Sequence, residues 1–280
     1  MNPSTSLPQP TARAQRQAEV VQALSAVLPA HALLWTPEDT VPYECDGLTA
    51  YRERPLVVAL PETYEQVQSV LRCCHALDVP VVARGAGTGL SGGAMPHALG
   101  VTLSLAKFNR ILSVDPVSCT AVVQSGVRNL AISEAAAPHG LYYAPDPSSQ
   151  IACTIGGNVA ENAGGVHCLK YGLTVHNVVQ VKGFTIDGDA VTFGSEALDA
   201  PGYDLLALAI GSEGMLAVTT EVTVKLVPKP QLARCIMASF DDIRKAGDAV
   251  AAVIAAGIIP AGLEMMDKPM TAAVEGFVQA

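Results

Sequence analysis

Charge and aromatic side chains are scarce in this sequence, and each shortage narrows what the protein can do. Charged residues make up 15% and aromatic residues 5% of its 280 residues, and the formal net charge is −9. Lysine and arginine form no stripe or cluster, which argues against a nucleic-acid-binding surface. Half of the residues are apolar, so the chain is not of the disordered class and can build a sizeable core.

The sequence also has no C-x-x-C spacing, no recognisable signal peptide and no apolar run long enough to span a membrane. The seven cysteines are odd in number and form no C-x-x-C pair, a pattern typical of reduced thiols and not of a disulfide framework or metal finger. The first residues, MNPSTSLPQPTARAQRQ, have no apolar core of a signal peptide. The longest apolar run begins at Ala249 and stops at Pro260, too short to cross a bilayer. We therefore expect a cytoplasmic protein, and any membrane association would be peripheral and come through partners.

The hydrophobic pattern predicts three consecutive parts. Residues 1–40 are a tail followed by a helix, and residues 41–230 form an α+β domain. Residues 231–280 begin a second domain after the linker PKPQL, with RCIMASF and AGLEMMD as predicted strands on either side of a helix.

Within the central part, the pattern changes near residue 90. Before that point, the strand LVVAL, a helix that starts with a capping box of Thr63 and Gln66, and the strand VPVVA predict a β-α-β unit with parallel strands. After it, short strands and an Asp-Gly hairpin turn predict a second sheet. We expect two mixed sheets and not a uniform doubly wound sheet.

Residues 83–93 read ARGAGTGLSGG, with five glycines directly after an apolar strand. The first six positions of a P-loop fit here, but position 93 is glycine where that motif requires lysine. The dinucleotide fingerprint also fits, but no helix can begin in the SGGAMPHALG that follows, which disfavours a nicotinamide-binding enzyme. Closely spaced glycines still let backbone N–H groups converge on an anion such as a diphosphate.

Two further glycine-rich stretches have the same character. Residues 144–165, APDPSSQIACTIGGNVAENAGG, combine a Pro-Asp-Pro turn with a glycine pair at the start of a short predicted helix. Residues 209–222, AIGSEGMLAVTTEV, place Gly-Ser-Glu-Gly before an alternating strand. Three such loops, each beside a strand or helix end, suit a large ligand with a diphosphate in its middle.

These three stretches resemble the FAD-binding domain of the vanillyl-alcohol-oxidase/p-cresol-methylhydroxylase (PCMH) superfamily. The likeness is greatest to the branch of FAD-linked D-lactate dehydrogenases and flavin subunits of bacterial glycolate oxidase, and it runs from VPYECDGL to the end of the chain. The resemblance implies a PCMH-type FAD-binding domain of two α/β subdomains, followed by the beginning of a truncated, ferredoxin-like α+β cap domain. It also implies non-covalent FAD, because Thr88 stands where some members carry a flavin-linked histidine.

The resemblance assigns cofactor contacts to all three stretches and to the segment just after the second. The first would wrap the FAD diphosphate, the second would lie along the flavin and beneath its ring, and the third would meet the adenine end. The residues concerned are Arg84, Gly85, Ala86, Gly87, Thr88, Gly89, Gly92, Gly93, Pro147, Ser148, Ser149, Thr154, Gly156, Gly157, Asn158, Asn162, Gly164, Gly165, Tyr171, Gly172, Glu213, Gly214 and Val218.

The reaction implied by the resemblance is oxidation of a 2-hydroxy acid by hydride transfer to FAD, glycolate giving glyoxylate or D-lactate giving pyruvate. Electrons would leave through other glycolate oxidase subunits that include an iron–sulfur protein. The family carries its substrate-binding residues and a histidine-rich metal site in the cap domain, beyond Ala280. No catalytic or metal-binding residue is therefore assigned within the chain, and the alternative is a truncated FAD-binding module without independent activity.

A few side chains after the central motif are candidates to approach the flavin ring. They are His167, Lys170, Tyr171 and His176. For His176 a structural role is favoured, and for Tyr171 flavin contact and plain packing are equally favoured. A metal site at His167 and Cys168 is disfavoured because no third ligand stands at a suitable spacing.

Overall fold

The structure is a computed structural model that describes residues 12–195, 197 and 202–278. The tail predicted before residue 12 lies outside this range. The strands are β1 (Leu33–Leu34), β2 (Val57–Ala59), β3 (Val81–Arg84), β4 (Val101–Ser104), β5 (Ile111–Asp115), β6 (Thr120–Gln124), β7 (Leu141–Tyr142), β8 (Val178–Phe184), β9 (Ala190–Gly194), β10 (Val218–Lys225) and β11 (Val227–Pro228).

Helices of two kinds connect these strands. The α-helices are α1 (Ala12–Leu24), α2 (Pro37–Thr40), α3 (Tyr64–Ala76), α4 (Asn129–Ala136), α5 (Ile155–Glu161), α6 (Cys168–Tyr171), α7 (Thr174–Asn177), α8 (Leu205–Ala209), α9 (Ile243–Ala255) and α10 (Lys268–Val278). Single 3-10 turns lie at Ala30–Ala32, Val41–Tyr43 and Ala137–His139. Within the described ranges, no helix is both long and apolar enough to cross a membrane.

The first sheet is mixed, and it contains the β-α-β unit expected from the sequence. Its strand order is β1-β2-β4-β3, with β2 and β3 both parallel to β4 and β1 antiparallel to β2. Helix α3 joins β2 to β3 and begins at the predicted capping box of Thr63 and Gln66. Strand β4, which follows the glycine-rich stretch, lies between the two strands of the unit. The parallel β-α-β prediction is confirmed.

The second sheet is antiparallel throughout, so the expectation of a mixed sheet was wrong here. Its order is β5-β6-β10-β8-β9, and every neighbouring pair is antiparallel. The physical reason is connectivity. Two of the four pairs, β5 with β6 and β8 with β9, are joined by tight turns, which allow only antiparallel pairing, whereas parallel neighbours require a long crossover. Strand β10 lies between β6 and β8 and is antiparallel to both. The α+β class is confirmed.

Each sheet has its own apolar core, and β8 and β10 link the two. The first core packs the first sheet against α1 and α3. The second packs the second sheet against α4 and α5. Phe184 at the end of β8 and Val218 at the start of β10 belong to the first core although their strands belong to the second sheet. The two sheets are therefore joined by shared apolar contacts near the ends of these strands.

Residues 234–267 were predicted as strand, helix and strand, and of these three elements only the helix is present. Helix α9 begins after Asp242, whose carboxylate accepts a hydrogen bond from the Arg244 N–H at 2.8 Å. The predicted strands at residues 234–240 and 261–267 are irregular. A strand needs a neighbouring strand to bond its backbone, and the described residues after Pro228 supply none for this segment. Those two strand predictions were wrong.

Candidate functional site

A cleft lies where the two sheets meet, and all three glycine-rich stretches line it. Its walls come from the loop after β3, the turn after β6, the start of α5 and the loop before β10. Most of the residues expected to contact a cofactor line this cleft: Arg84, Gly85, Ala86, Gly87, Thr88, Gly89, Gly93, Pro147, Ser149, Thr154, Gly156, Gly157, Asn158, Glu213 and Gly214. The tertiary fold thus brings together three stretches that are far apart in the sequence.

The first stretch, which we call the glycine loop (residues 85–93), lies close to side chains of the other two stretches. A Cβ atom on Gly85 would overlap the hydroxyl of Thr154 from the second stretch. A Cβ on Gly89 would lie 2.6 Å from Glu161 Oε1, and one on Gly93 would lie 2.8 Å from Glu213 Oε2. Glycine at position 85 lets the second stretch close against the loop backbone. The Glu161 and Glu213 carboxylates end flexible side chains that could move aside, so Gly89 and Gly93 matter less for this approach.

Arg84, directly before the glycine loop, is hydrogen-bonded to the segment before β2 and to the residue directly after the loop. Its Nη1 donates to the carbonyl oxygens of Cys45 at 2.8 Å and Ala94 at 3.3 Å. Burial lowers the pKa of Arg84, and the nearby Cys45, Tyr43 and Asp46 side chains oppose this shift only in part. Gly87 has φ +70°, and a Cβ there would overlap the Arg84 guanidinium. Arg84 therefore lines the cleft mainly as a buried brace of the loop.

Asp46 is a second brace, and sequence reasoning missed it. Its buried carboxylate accepts the Gly92 N–H at 2.9 Å and the Leu48 N–H at 3.0 Å. The Gly47 N–H donates to the Gly89 carbonyl at 3.0 Å, fixing the other side of the loop. Gly92 is thus held by Asp46 and does not line the cleft. The Asp-Gly pair in ECDGL was the available signal, since this dipeptide favours a tight turn.

Three buried polar atoms in the lining lack a hydrogen-bond partner. They are Ser125 Oγ, Thr154 Oγ1 and Asn158 Nδ2. Buried donors are normally paired, so three unpaired ones around one cleft indicate that a polar ligand completes them. Together with the bare backbone of the glycine loop they fit the diphosphate and hydroxyl groups of FAD. The Gly156 amide does not serve this purpose, because it donates to the Ser125 carbonyl at 2.8 Å.

Two glutamates give the cleft a negative wall. Glu161 ends α5, and Glu213 sits at φ +55° with its N–H bonded to the Ala160 carbonyl at 2.8 Å. Partial burial raises the pKa of Glu161, and the carboxylates of Glu213 and Asp46 raise it further. The resemblance assigned Glu213 to the adenine end but assigned no role to Glu161.

Other lining residues were also absent from the sequence-based set. The turn after β6 supplies Ser125, which the sequence signalled only by a Ser-Gly pair at the end of an apolar strand. The remaining ones are mostly small or apolar: Ala83, Ala94, Leu105, Cys153, Val159, Ala160, Ala163, Ala209, Ser212, Ala217 and Thr219. Small side chains carry no chemical signature, so spacing arguments could not find them.

Some expected contacts lie beside the cleft and support its walls. Asn162 takes a left-handed conformation at φ +53°, and its Oδ1 accepts the Val175 N–H at 2.9 Å. Val218 is buried in the first core, while its neighbours Ala217 and Thr219 line the cleft. Tyr171 packs edge-on against Tyr142 with ring centroids 6.1 Å apart. The others outside the lining are Gly92, Ser148, Gly164, Gly165 and Gly172.

The two histidines after the central motif have local partners. His167 Nδ1 lies 2.6 Å from Asp146 Oδ2. The Nδ1 of His176 accepts the Leu173 N–H at 3.1 Å, in keeping with the structural role favoured for it. Across residues 12–195, 197 and 202–278, no group of three or more histidine, cysteine or acidic side chains is placed to hold a metal ion.

Comparison with known proteins agrees with this geometry. The family model for the FAD-binding domain matches residues 55–194, and that for the C-terminal domain of FAD-linked oxidases matches residues 229–280. In overall fold the chain resembles a solved alkyldihydroxyacetonephosphate synthase at a TM-score of 0.75 and 21% identity, over 93% of this chain and 48% of that one. The PCMH-type fold expected from the sequence is confirmed.

Curated relatives extend the comparison. The chain is 64% identical to glycolate oxidase subunit GlcD of Escherichia coli over 93% of its own length and 52% of the relative's. It is 41% identical to the subunit of that name from Bacillus subtilis over 85% and 51%, and 33% identical to D-lactate dehydrogenase of Anaerostipes hadrus over 93% and 55%. The chain thus spans about half the length of the curated relatives it matches. With this cleft and these matches, the chain belongs to the family of FAD-linked oxidases, and its cofactor is FAD.

Proposed function

We propose that this chain is the FAD-binding part of an oxidoreductase that oxidises a small 2-hydroxy acid, glycolate to glyoxylate or D-lactate to pyruvate. The observation that carries the proposal is the single cleft lined by three glycine-rich stretches and by three unpartnered buried polar atoms. The names of the relatives, glycolate oxidase subunit and D-lactate dehydrogenase, supply the substrate class.

In this proposal the glycine loop and its braces hold the FAD diphosphate. Thr154, Asn158 and Ser125 donate to polar groups of the cofactor, and Glu213 with Gly214 faces its adenosine part. FAD would be held without a covalent bond, since Thr88 stands at the position where flavin-linked members of the superfamily carry a histidine. Bound FAD supplies the hydride acceptor for the oxidation. The protein's part is to orient the cofactor and to exclude water from one side of it.

We further propose that this oxidoreductase works in the cytoplasm with partner subunits. Electrons would pass from the reduced cofactor to another subunit, an iron–sulfur protein. The relatives from Escherichia coli and Bacillus subtilis are named as subunits of glycolate oxidase, which supports the presence of partner subunits.

A second candidate function is a FAD-binding module that does not turn over substrate by itself. It is favoured by the charge of the cleft. Arg84 is the one cationic side chain that the described residues contribute to the lining, and its Nη1 is bonded to backbone carbonyls. The described residues therefore present no evident clamp for a substrate carboxylate. Oxidation of a 2-hydroxy acid requires such a clamp and a base.

The absorption spectrum before and after anaerobic addition of substrate tests both candidates. A two-band flavin spectrum that bleaches with glycolate or D-lactate supports the oxidoreductase. A flavin spectrum that bleaches with dithionite but with neither hydroxy acid supports the module. Purified protein that neither retains nor takes up FAD would contradict both.

A further inference from the structure

Glu161 occupies an unusual place for an acidic side chain. It ends helix α5, it is exposed to the cleft, and its carboxylate packs against the backbone of Gly89 in the glycine loop. This loop is the element that we propose to hold the diphosphate. An anionic ligand held there would cover the Glu161 carboxylate and lie beside it.

Among the residues that the structure describes, no cationic side chain near Glu161 offsets the repulsion between its carboxylate and an anionic ligand. Glu213 faces it from the loop before β10, and Asp46 from the segment before β2. The Cys153 thiol lies on the preceding segment, and burial raises its pKa, so it stays neutral at physiological pH. Arg84 is the one cation of the described lining, and its Nη1 is directed to carbonyl oxygens. A dianionic diphosphate would therefore meet uncompensated negative charge.

Independent observations show that this part of the cleft is built for a ligand. The Thr154 hydroxyl and the Asn158 amide, both more than nine-tenths buried, line the same cleft without partners. Thr154 is the N-cap of the helix that Glu161 ends, and Asn158 lies in the middle of that helix. An ionised carboxylate at this point would repel an anionic ligand and oppose these donors, whereas a neutral carboxylic acid would add a further hydrogen-bond donor to them.

We propose, on the basis of the FAD-binding function above, that Glu161 contacts bound FAD as the neutral carboxylic acid and that FAD binding takes up a proton at this residue. The neutral acid donates an O–H hydrogen bond to an anionic oxygen of the cofactor. The proton comes from solvent, and it returns to solvent when FAD dissociates. Glu161 is in this sense a cofactor-binding residue that acts only in its protonated form.

The sign of the pH dependence follows from linkage. The pKa of Glu161 is already above its ordinary value, and an anionic ligand raises it further. Affinity for FAD is then constant below the pKa of the free protein. Between the pKa of Glu161 in the free protein and its pKa in the FAD-bound protein, the affinity falls by up to about tenfold per pH unit, because binding then requires uptake of one proton. Above the bound pKa it is constant again.

The test is titration of FAD into the cofactor-free chain, followed by flavin fluorescence from about pH 5 to 8 at constant ionic strength. The Kd of the wild-type chain is expected to rise with pH. Glu161→Gln, which keeps a neutral donor, should show no such rise and should bind more tightly than wild type at the highest pH. Glu264→Gln, an exposed glutamate outside the FAD-binding domain, is the matched control and should behave as wild type.

The possible results separate failure of the proposal from failure of the FAD-binding function. A wild-type Kd that does not change with pH, or a Glu161→Gln variant that keeps the wild-type slope, overturns the proposal. A slope that disappears in Glu213→Gln and not in Glu161→Gln overturns the assignment to Glu161. Absence of FAD binding at every pH would instead contradict the FAD-binding function itself. Calorimetry in two buffers of different ionisation enthalpy gives the proton uptake directly, expected to approach about one per FAD within the window.

Discussion

Residues 12–228 and residues 229–278 both contain many apolar side chains, but only the first region buries them. The first holds two cores whose members are almost fully inaccessible to solvent. In the second, helices α9 and α10 contain no buried residue, and Ile236 and Met237 are more than 90% exposed. Apolar composition alone therefore does not make a core. A face must meet a complementary face, and in the described structure only the first region has one.

The largest expected difference between the regions is the cost of removing a core side chain. Leu103 in β4 is fully buried, and Leu103→Ala should lower the free energy of unfolding by about 2–5 kcal/mol through lost burial and the cavity left behind. Ile254→Ala in α9, where the side chain is 42% exposed, should change it by no more than about 0.5 kcal/mol. Urea denaturation followed by circular dichroism measures both. Equal losses would mean that α9 is packed after all.

A smaller difference is expected for buried and exposed arginines. Arg84→Met removes charge-assisted hydrogen bonds to the Cys45 and Ala94 carbonyls and should cost about 1.5–3 kcal/mol of unfolding free energy. Arg244→Met, at a side chain that is 88% exposed, should stay within about 0.5 kcal/mol of wild type. Thermal unfolding of the cofactor-free proteins measures both. An unchanged Arg84→Met variant would show that the glycine loop needs no brace.

Glycine substitutions extend the contrast between the regions to the cleft itself. Gly85→Ala would push against the Thr154 hydroxyl, so we expect FAD affinity to fall at least about tenfold, or about 1.4 kcal/mol. Gly247→Ala in α9 has open space around the added methyl group and should stabilise that helix by about 0.5–1 kcal/mol without changing FAD affinity. Fluorescence titration and urea denaturation provide the two readouts. Wild-type FAD affinity in Gly85→Ala would show that the close approach of Gly85 to the Thr154 hydroxyl does not contribute to cofactor binding.

The smallest expected effect leaves stability unchanged and concerns thiol reactivity. Burial raises the pKa of Cys74 to about 12, while Cys235 is exposed. The Cys74 thiol is therefore protonated at pH 8, and its contribution to stability is lost only as pH rises from about 9 toward 12. A thiol reagent at pH 8 should label Cys235 quickly and Cys74 only after unfolding. Mass spectrometry of the labelled peptides checks this, and rapid labelling of Cys74 in the folded protein would contradict it.

Local sequence was sufficient for elements whose stabilising partners are close in the chain. Thr63 and Gln66 form their capping box within one turn of α3, and the Asp-Gly turn joins β8 to β9 as expected. The strands expected at residues 234–240 and 261–267 failed for the opposite reason. Their alternation describes what a strand would look like, but a strand also requires a partner, which local sequence does not supply.

In the candidate site, too, local features could be predicted from the sequence and contacts between distant segments could not. The glycine-rich stretches were visible because closely spaced glycines after a strand are typical of a backbone that must approach a ligand, and most of their residues line the cleft. Asp46, Glu161 and Ser125 were missed because nothing near them in the sequence indicates the loop that they meet. Asp46 reaches Gly92 across 46 positions of the chain.

The order of residue types was enough to establish an α+β fold and three backbone-rich loops suited to a diphosphate-containing cofactor. Folding in three dimensions settled the rest: Arg84 braces the loop, Glu161 and Glu213 press against it, and Ser125, Thr154 and Asn158 remain without partners. The cause of this division is distance along the chain. Helix caps and turns are short-range interactions that residue type can encode locally, whereas the charge and hydrogen bonding of a cleft depend on which distant segments the folded chain brings into contact.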